Sequence, residues 1–431
     1  MKSYSIDTRT LKPGDIFVAI EGETFDGHNF VEEAFQKGAS SAIVRNNYEW
    51  SRPNITRVPD TLKALQDLAH EHLLKMPAKR VALTGSAGKT TTKELIAAAL
   101  RACLGQEAVF VSSGNLNNHL GLPLSALKVT PEHKVAVFEM GMNHFGEIAL
   151  LAQIAKPQIG LITNIGSAHA GNLGGLEGVA KAKAELFEAL SSDQTGIINA
   201  DDPRCVREAN NKLKSKKLSF GKAAWADIRI SDYDRPSFTY QDQVIDINFP
   251  LLGHHNIQNA AGALAVAVAL GLDFKQAGLG LEQVKPVNGR LQKHVLKNGA
   301  ILLDDTYNAN PESMEAGLAV LASFKNHRKI AVLGDMAELG ESAEDKHHSI
   351  GAACIQKGVD LLFACGSHAK HYGEGAFEAG FPMENFSWAP DSTALGLLVA
   401  AQIKPLDVIW VKGSRIMKME KAIDSILKYD K

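Results

Sequence analysis

The chain has few cysteines. Cys103, Cys205, Cys354 and Cys365 lie far apart with no C-x-x-C pair, so neither a disulfide framework nor a cysteine-built zinc site is indicated, and a reducing cytoplasm is the expected setting. It also has no excess charge of either sign. Forty-six Lys and Arg against 48 Asp and Glu leave a net charge of −2, which excludes a general electrostatic footprint for nucleic acid or an anionic membrane. Any polyanion must be met locally. No run approaches the roughly 18 uninterrupted apolar residues of a membrane span, and Met1-Lys2-Ser3-Tyr4-Ser5-Ile6-Asp7 is no apolar signal segment. Short-period repeats and low-complexity tracts are lacking too. What remains is a hydrophobic content of 45% over 431 residues, enough for packed cores in two to four domains.

The most telling stretch is Thr84-Gly85-Ser86-Ala87-Gly88-Lys89-Thr90-Thr91. It follows the strand-like Arg80-Val81-Ala82-Leu83 and opens the helical run Lys93-Glu94-Leu95-Ile96-Ala97. Small residues let backbone N–H groups converge on an anion, the helix start adds its dipole, Lys89 neutralises charge, and the Thr90 hydroxyl can hold Mg²⁺. A nucleoside triphosphate is therefore expected. Leu83 stands where the usual G-x-x-x-x-G-K-[ST] loop has its first glycine, so this loop is shorter than that pattern.

Three segments follow one another. Residues 1–78 read as a small α/β unit, with strands over Asp15-Ile20 and Ser41-Val44, helices over Phe30-Lys37 and Thr61-Leu74, and Met76-Pro77 as the link. Residues 79–295 alternate apolar strands (Val81-Thr84, Val135-Phe138, Ile159-Asn164, Gly196-Asn199) with helices, which predicts a mostly parallel sheet. Within it, Ile228 to Phe249 reads as a β excursion before a helix over Asn256-Leu270. Residues 296–431 repeat the alternation with strands Ala300-Leu303, Lys329-Leu333, Leu361-Ala364 and Val408-Val411. In open α/β sheets ligands collect at the carboxyl ends of strands, which groups Asp305, Asp335 and Lys412-Gly413-Ser414-Arg415 on one expected surface.

Strand ends also supply the other candidates. Glu139 ends a central strand where a triphosphate-bound Mg²⁺ is within reach, and His169 follows the next strand, open either to a second cation or to phosphate oxygens. In Lys181-Ala182-Lys183-Ala184-Glu185, helical spacing places Lys183 with Val179, Leu186, Phe187 and Leu190, so it is the lysine turned inward. Burial lowers an amine's pKa, and a neutral amine can take up CO₂ to give an anionic carbamate. Asn115-Leu116-Asn117-Asn118-His119 is an amide cluster, open either to loop formation or to ligand contact. Asn256 opens a helix where an N-cap is the plain alternative, and Asn259 one turn on can face a base. Arg290 sits at a domain junction, suited to a phosphate oxygen. Asp304-Asp305-Thr306-Tyr307-Asn308-Ala309-Asn310-Pro311 gathers carboxylates and amides before a helix start, and Gly334-Asp335-Met336-Ala337-Glu338-Leu339-Gly340 repeats that logic on the next strand.

Together the shortened phosphate loop, Glu139, His169 and Lys183 resemble the Mur ligases of peptidoglycan synthesis, and the three-segment layout matches that family along essentially the whole chain. Asp305 to Pro311, Leu333 to Gly340 and Val411 to Arg415 are similar to the branch that joins D-alanyl-D-alanine to UDP-N-acetylmuramoyl-tripeptide. The Asp-Asn-Pro-Arg signature of the diaminopimelate-adding relative is missing from the third segment. The N-terminal Ser5 to Arg9, Pro13 to Phe17 and Phe25 to His28 resemble a UDP-binding domain.

The resemblance implies three domains: a small N-terminal α/β domain binding the UDP-substrate, a central P-loop ATPase-like parallel sheet, and a C-terminal Rossmann-like α/β domain that closes over ATP and binds the dipeptide. It implies ATP-dependent activation of the tripeptide carboxylate as an acyl phosphate, attack by the dipeptide amine, and release of ADP and phosphate, in the cytoplasm and in service of cell-wall biogenesis, cell shape and division. ATP contacts would come from Gly85 to Thr91, Asn259, Arg290 and Asp305; one Mg²⁺ from Thr90 and Glu139; a second from His169 and a carbamylated Lys183. Lys89, His169 and Lys183 are the expected catalytic groups. Asp7, Thr8, Arg9, Asp26, Gly27, His28, Asn117, Asn308, Asn310, Lys412, Ser414 and Arg415 are the expected substrate contacts. A monomer is expected, with rotation of the last domain near residues 290 to 298. Alternatives are a sister Mur or folylpolyglutamate-type ligase, or a nucleotide-binding switch without ligase chemistry. Whether the tripeptide ends in lysine or diaminopimelate is not written in the sequence.

Overall fold

The computed structural model describes residues 3–22, 24–50 and 52–429; the outermost positions of the first and last expected domains lie outside the described residues. Its strands form three sheets, one for each domain.

The first sheet pairs Tyr4–Ser5, Ile16–Val18, Ser41–Arg45 and Ile55–Val58 in parallel. The helix Thr61–Lys75 follows, with the Asp60 carboxylate capping its start through the Lys63 N–H at 2.9 Å. Its buried Leu65, Ala69 and Leu73 recur every fourth residue, giving one apolar stripe. That stripe joins the core of the next domain, against the helices Gly121–Ala126 and Glu147–Ala155. The first two domains thus share one continuous core.

The central sheet has nine strands. Lys79–Thr84 lies between Val135–Glu139 and Ile159–Ile162, all three parallel, so the loop after Thr84 opens at the middle of the sheet. Thr195–Asn199 and Lys216–Gly221 continue it. The expected β excursion is an edge extension of Ile228–Asp232, Ser237–Tyr240 and Gln243–Asp246, the last two antiparallel. The helices Lys89–Leu104 and His254–Ala269 bury an apolar face on one side of this sheet.

The third sheet orders Gln292–Val295, Ile301–Asp305, Val408–Lys412, Lys329–Gly334, Leu361–Cys365 and Phe386–Ala389, parallel except for the first. A separate core lies on each of its faces. Two expectations change here. The boundary set after residue 295 falls inside a hairpin, because Gln292–Val295 pairs antiparallel with Ile301–Asp305. Phe386–Ala389 is an edge strand that the sequence had not suggested. Among the described residues no helix is long and apolar enough to cross a membrane.

Candidate active site

The loop between Thr84 and Lys89 is shaped by two glycines. Gly85 has φ +157°, and a Cβ there would stand 1.8 Å from Thr163 Oγ1; Gly88 has the left-handed φ of +78°, and a Cβ would stand 2.7 Å from Asn259 Oδ1. Only glycine lets the shortened loop lie this close to its neighbours. The segment after Ile159–Ile162 brackets it. Ser86 N donates to Asn164 O at 3.0 Å, Ala87 N donates to Asn164 Oδ1 at 2.9 Å, and Ser86 Oγ exchanges bonds with Gly166 at 2.8 and 3.0 Å. The Lys89 ammonium donates to Gly85 O at 2.6 Å; burial holds its pKa below the ordinary lysine value, with Glu139 acting the other way.

Glu139, the last residue of its strand, is 3% exposed and accepts from Thr90 Oγ1 at 3.0 Å and Asn117 Nδ2 at 2.8 Å. The structure therefore gathers Thr90, Asn117 and Glu139. It adds a residue the sequence reading missed: fully buried Lys93, whose Nζ lies 3.7 Å from Glu139 Oε2 and donates to Gly114 O at 3.1 Å. Its spacing of four from Lys89, which puts both on one helix face, was the available signal.

Lys183 is 1% exposed, as its helical spacing requires, and forms no ion pair with another described residue. Burial pushes its pKa well down and the neighbouring Lys89 charge adds to that. It lines neither of the two cavities described below. His169, with a left-handed φ of 66°, instead faces the third domain, its Nδ1 2.6 Å from Glu338 Oε2. Among the described residues no group of three or more His, Cys, Asp or Glu side chains is gathered as a metal cage. A hard cation here would rest on Thr90 and Glu139 and take its other ligands from phosphates and water, the usual manner of Mg²⁺.

Two cavities meet at the loop. One, of about 280 Å³, is lined by Ala87, Gly88, Thr91, Asn259, Asp305 and Lys412 among others; the other, of about 400 Å³, by Lys89, Thr90, Asn117, Glu139, His169 and Arg415 among others. Arg290 borders both, its guanidinium 4.2 Å over the Tyr307 ring and its buried Nε without a partner. A guanidinium that borders both cavities is suited to an anion.

The third domain closes the first cavity with a buried ion pair. Lys412 Nζ lies 2.8 Å from Asp305 Oδ2, which also accepts from Trp410 Nε1 at 3.3 Å. Burial lowers the Lys412 pKa against the pull of Asp305, and it drives nearby His255 down to about 4, leaving that imidazole neutral. Asn308 and Asn310 border the second cavity; Asn308 Oδ1 accepts from Arg415 N at 3.3 Å, and Asn310 caps the helix Pro311–Ser323.

Some expected contacts lie elsewhere. Ser414 is 1% exposed, its N–H donating to Asp335 O at 2.9 Å and its Oγ accepting from Ala337 N at 2.6 Å, so it staples two strand ends together and lines neither cavity. The Asp335 carboxylate accepts from Ser367 and from His368 N, organising the turn after Leu361–Cys365. Asp7 with Arg9, and Asp26 with His28 and Arg45, form polar clusters on the first domain that line neither cavity; Thr8 and Gly27 belong to the same turns. Hydrogen bonds from Arg9 hold the Asp7 carboxyl down to about 2.

Comparison with known proteins gives one answer across the chain. The Mur ligase family, catalytic domain, matches residues 1–73; the Mur ligase middle domain matches 83–267; the Mur ligase, glutamate ligase domain, matches 289–415. The UDP-N-acetylmuramoyl-tripeptide–D-alanyl-D-alanine ligase of Escherichia coli K12 is 38% identical, covering 99% of this chain and 94% of its own. A crystal structure of MurF from Acinetobacter baumannii superposes with a TM-score of 0.88 at 32% identity, covering 99% of this chain and 93% of its own. MurF ligase from Thermotoga maritima in complex with ADP gives 0.86 at 28%, covering 100% and 98%.

Proposed function

The chain belongs to the Mur ligase family, and we propose that it joins D-alanyl-D-alanine to UDP-N-acetylmuramoyl-tripeptide at the expense of ATP, in the synthesis of peptidoglycan precursors. The observation that carries this is the pair of cavities sharing Ala87, Gly88 and Arg290, both walled by the central and the third domain: the first beside Asn259 and Asp305, the second along Glu139, Asn117 and Asn308. A base and ribose fit the first, beside Asn259 and Asp305, and the triphosphate crosses Gly85 to Thr91. The γ-phosphate then enters the second cavity, where the tripeptide carboxylate must arrive.

Two anions meet there, so cations govern the first step. Lys89 and Arg290 offset phosphate charge. Mg²⁺ on Thr90 and Glu139 would neutralise charge on the β and γ oxygens, with a second ion assigned to His169 and a carbamylated Lys183. For that second site, Lys183's buried, depressed amine supports carbamate formation, and His169 must exchange Glu338 for its new partner. The carboxylate attacks the γ-phosphorus to give an acyl phosphate and ADP; the dipeptide amine attacks the acyl carbon, and collapse leaves the amide and phosphate. Asn308, Asn310 and Arg415 border the second cavity and are placed to bind the dipeptide, while Lys412 lines the first. The Asp7–Arg9 and Asp26–His28 turns are assigned to the UDP moiety, residues 1–78 to its domain, the stretch from 79 to the Gln292–Val295 hairpin to ATP, and the remainder to closure. The cytoplasm, where ATP and the soluble precursor occur, is the assigned compartment.

The test is phosphate release from ATP and Mg²⁺ with lysine- and diaminopimelate-containing tripeptides, with and without D-alanyl-D-alanine, with the product identified by mass. Release that needs both substrates and yields a pentapeptide supports the assignment. Release indifferent to the dipeptide points to a nucleotide switch, and a product with a single amino acid to a sister ligase.

A further inference from the structure

Glu312 is the second residue of the helix Pro311–Ser323 in the third domain, yet its carboxylate is spent on the central one. Oε1 accepts from Ser167 N at 2.6 Å and Oε2 from Ser167 Oγ at 3.1 Å. Such two-point, charge-assisted contacts fix orientation as well as distance. The residue before Ser167 is glycine for a steric reason: a Cβ on Gly166 would stand 2.7 Å from Glu312 Cδ. The docking surface continues inward. Gly166 N donates to Ser86 Oγ at 2.8 Å and Gly166 O accepts from it at 3.0 Å, while Asn164 holds Ala87 through both its donor and its acceptor. Glu312 is thus joined through Ser167 and Gly166 to the phosphate loop, and it borders the cavity beside Asn259 and Asp305.

The second inter-domain contact, His169 with Glu338, involves two left-handed, non-glycine residues, with φ of 66° and 63°. It acts on the phosphate loop by charge, Glu338 attracting Lys89, whereas Glu312 reaches the loop through hydrogen bonds, so the two contacts are not equivalent.

We propose that Glu312 is a positioning residue that couples docking of the third domain to the phosphate loop, so that a docked third domain and a loop shaped for phosphate favour one another. The inference rests on the nucleotide assignment above and adds the residue that links nucleotide binding to closure. Because coupling is reciprocal, whatever Glu312 contributes to docking returns as nucleotide affinity.

The experiment measures ADP binding by calorimetry and the radius of gyration by X-ray scattering for the full chain and for Glu312→Ala, Glu312→Gln, Ser167→Ala and the Glu312→Ala/Ser167→Ala pair. The alanine variant should bind ADP about tenfold more weakly and remain more expanded in its presence, a coupling of ordinary size. The glutamine variant, whose amide oxygen still accepts from Ser167 N, should lose less. The pair should be no worse than Glu312→Ala alone, since both remove one contact. Thermal midpoints should stay within a few degrees, as for a substitution outside the core. ADP affinity of Glu312→Ala within twofold of wild type, or fully additive losses in the pair, would overturn the coupling. Wild type that binds no ADP would overturn it together with the nucleotide assignment, whereas ADP binding without ligation would strike only the ligase reading.

Discussion

Asp305 and Lys412 form a buried pair whose cost shows only when one partner is removed. Asp305→Asn leaves the ammonium without a counter-charge under Trp410, and a loss of about 3 kcal/mol is expected in urea unfolding. Asp305→Asn/Lys412→Met should recover much of that, since an apolar stem suits the site; equal losses in the single and the double variant would show that the charge is not what matters. Lys183 gives a pH test. Its folded pKa lies well below the value near 10.4 of an unfolded lysine, so between the two the unfolded chain binds the extra proton and stability rises with pH, by at most about 1.4 kcal/mol per unit. In CO₂-free buffer the stability difference between wild type and Lys183→Met should climb from the folded pKa toward pH ~10. Carbamylation would flatten the climb and add a ¹³C carbamate signal from labelled bicarbonate. A flat difference with no such signal would mean the amine keeps its charge in place. The inward turn of Lys183 could be read from helical spacing, because its neighbours in the helix are themselves apolar. For Lys93 the spacing from Lys89 shows the shared helix face, but its partners Gly114 and Glu139 come from other elements and could not be read, nor could the bonds of Ser414 to Ala337 and Asp335.

At the level of elements, the phosphate loop is the sharpest test. Gly88→Ala must place a Cβ against Asn259 in a left-handed backbone, and Gly85→Ala one 1.8 Å from Thr163 Oγ1. Both should weaken ADP binding by at least about tenfold, with Gly85→Ala also lowering the thermal midpoint because its clash is met in the core of the sheet. Unchanged ADP titrations for Gly88→Ala would mean that the loop tolerates a rearranged backbone. The loop was legible because glycine, lysine and paired threonines announce the strand-to-helix turn, and the apolar runs at Val135, Ile159 and Lys329 announce buried parallel strands. Gln292–Val295 escaped notice because an edge strand of mixed polarity carries no apolar run, and Phe386–Ala389 because it is short and half-exposed.

For the whole molecule, the division of labour follows from the cores. The first two domains share a continuous apolar core and should move as a body, while the third has a core on each face of its sheet and meets the centre mainly through polar contacts, with Leu252 of the central domain packed against one of those cores. Gly289 and Leu291, with φ of 68° and 53°, place left-handed backbone on both sides of Arg290 at the junction, where a hinge can absorb rotation. The radius of gyration should fall when ADP and the tripeptide are added together; identical scattering curves would count against domain closure. The three-part layout could be read from alternating strands and helices, but the docking of one part on another could not, because Ser167 and Glu312 are 145 positions apart and nothing local ties them.

Trp410 gives this arrangement an optical signature. Of the 4 tryptophans, Trp225 and Trp388 stand in solvent and Trp50 is half-buried, whereas Trp410 is fully enclosed, with Gly317 too close to admit a side chain and Asp305 bonded to its indole N–H. Iodide should therefore quench most of the fluorescence and leave a residual blue emission from Trp410 alone. Asp305, Gly317 and Lys412 also wall the cavity assigned to the base and ribose, so that residual light is a built-in indicator of its occupancy, readable without a label.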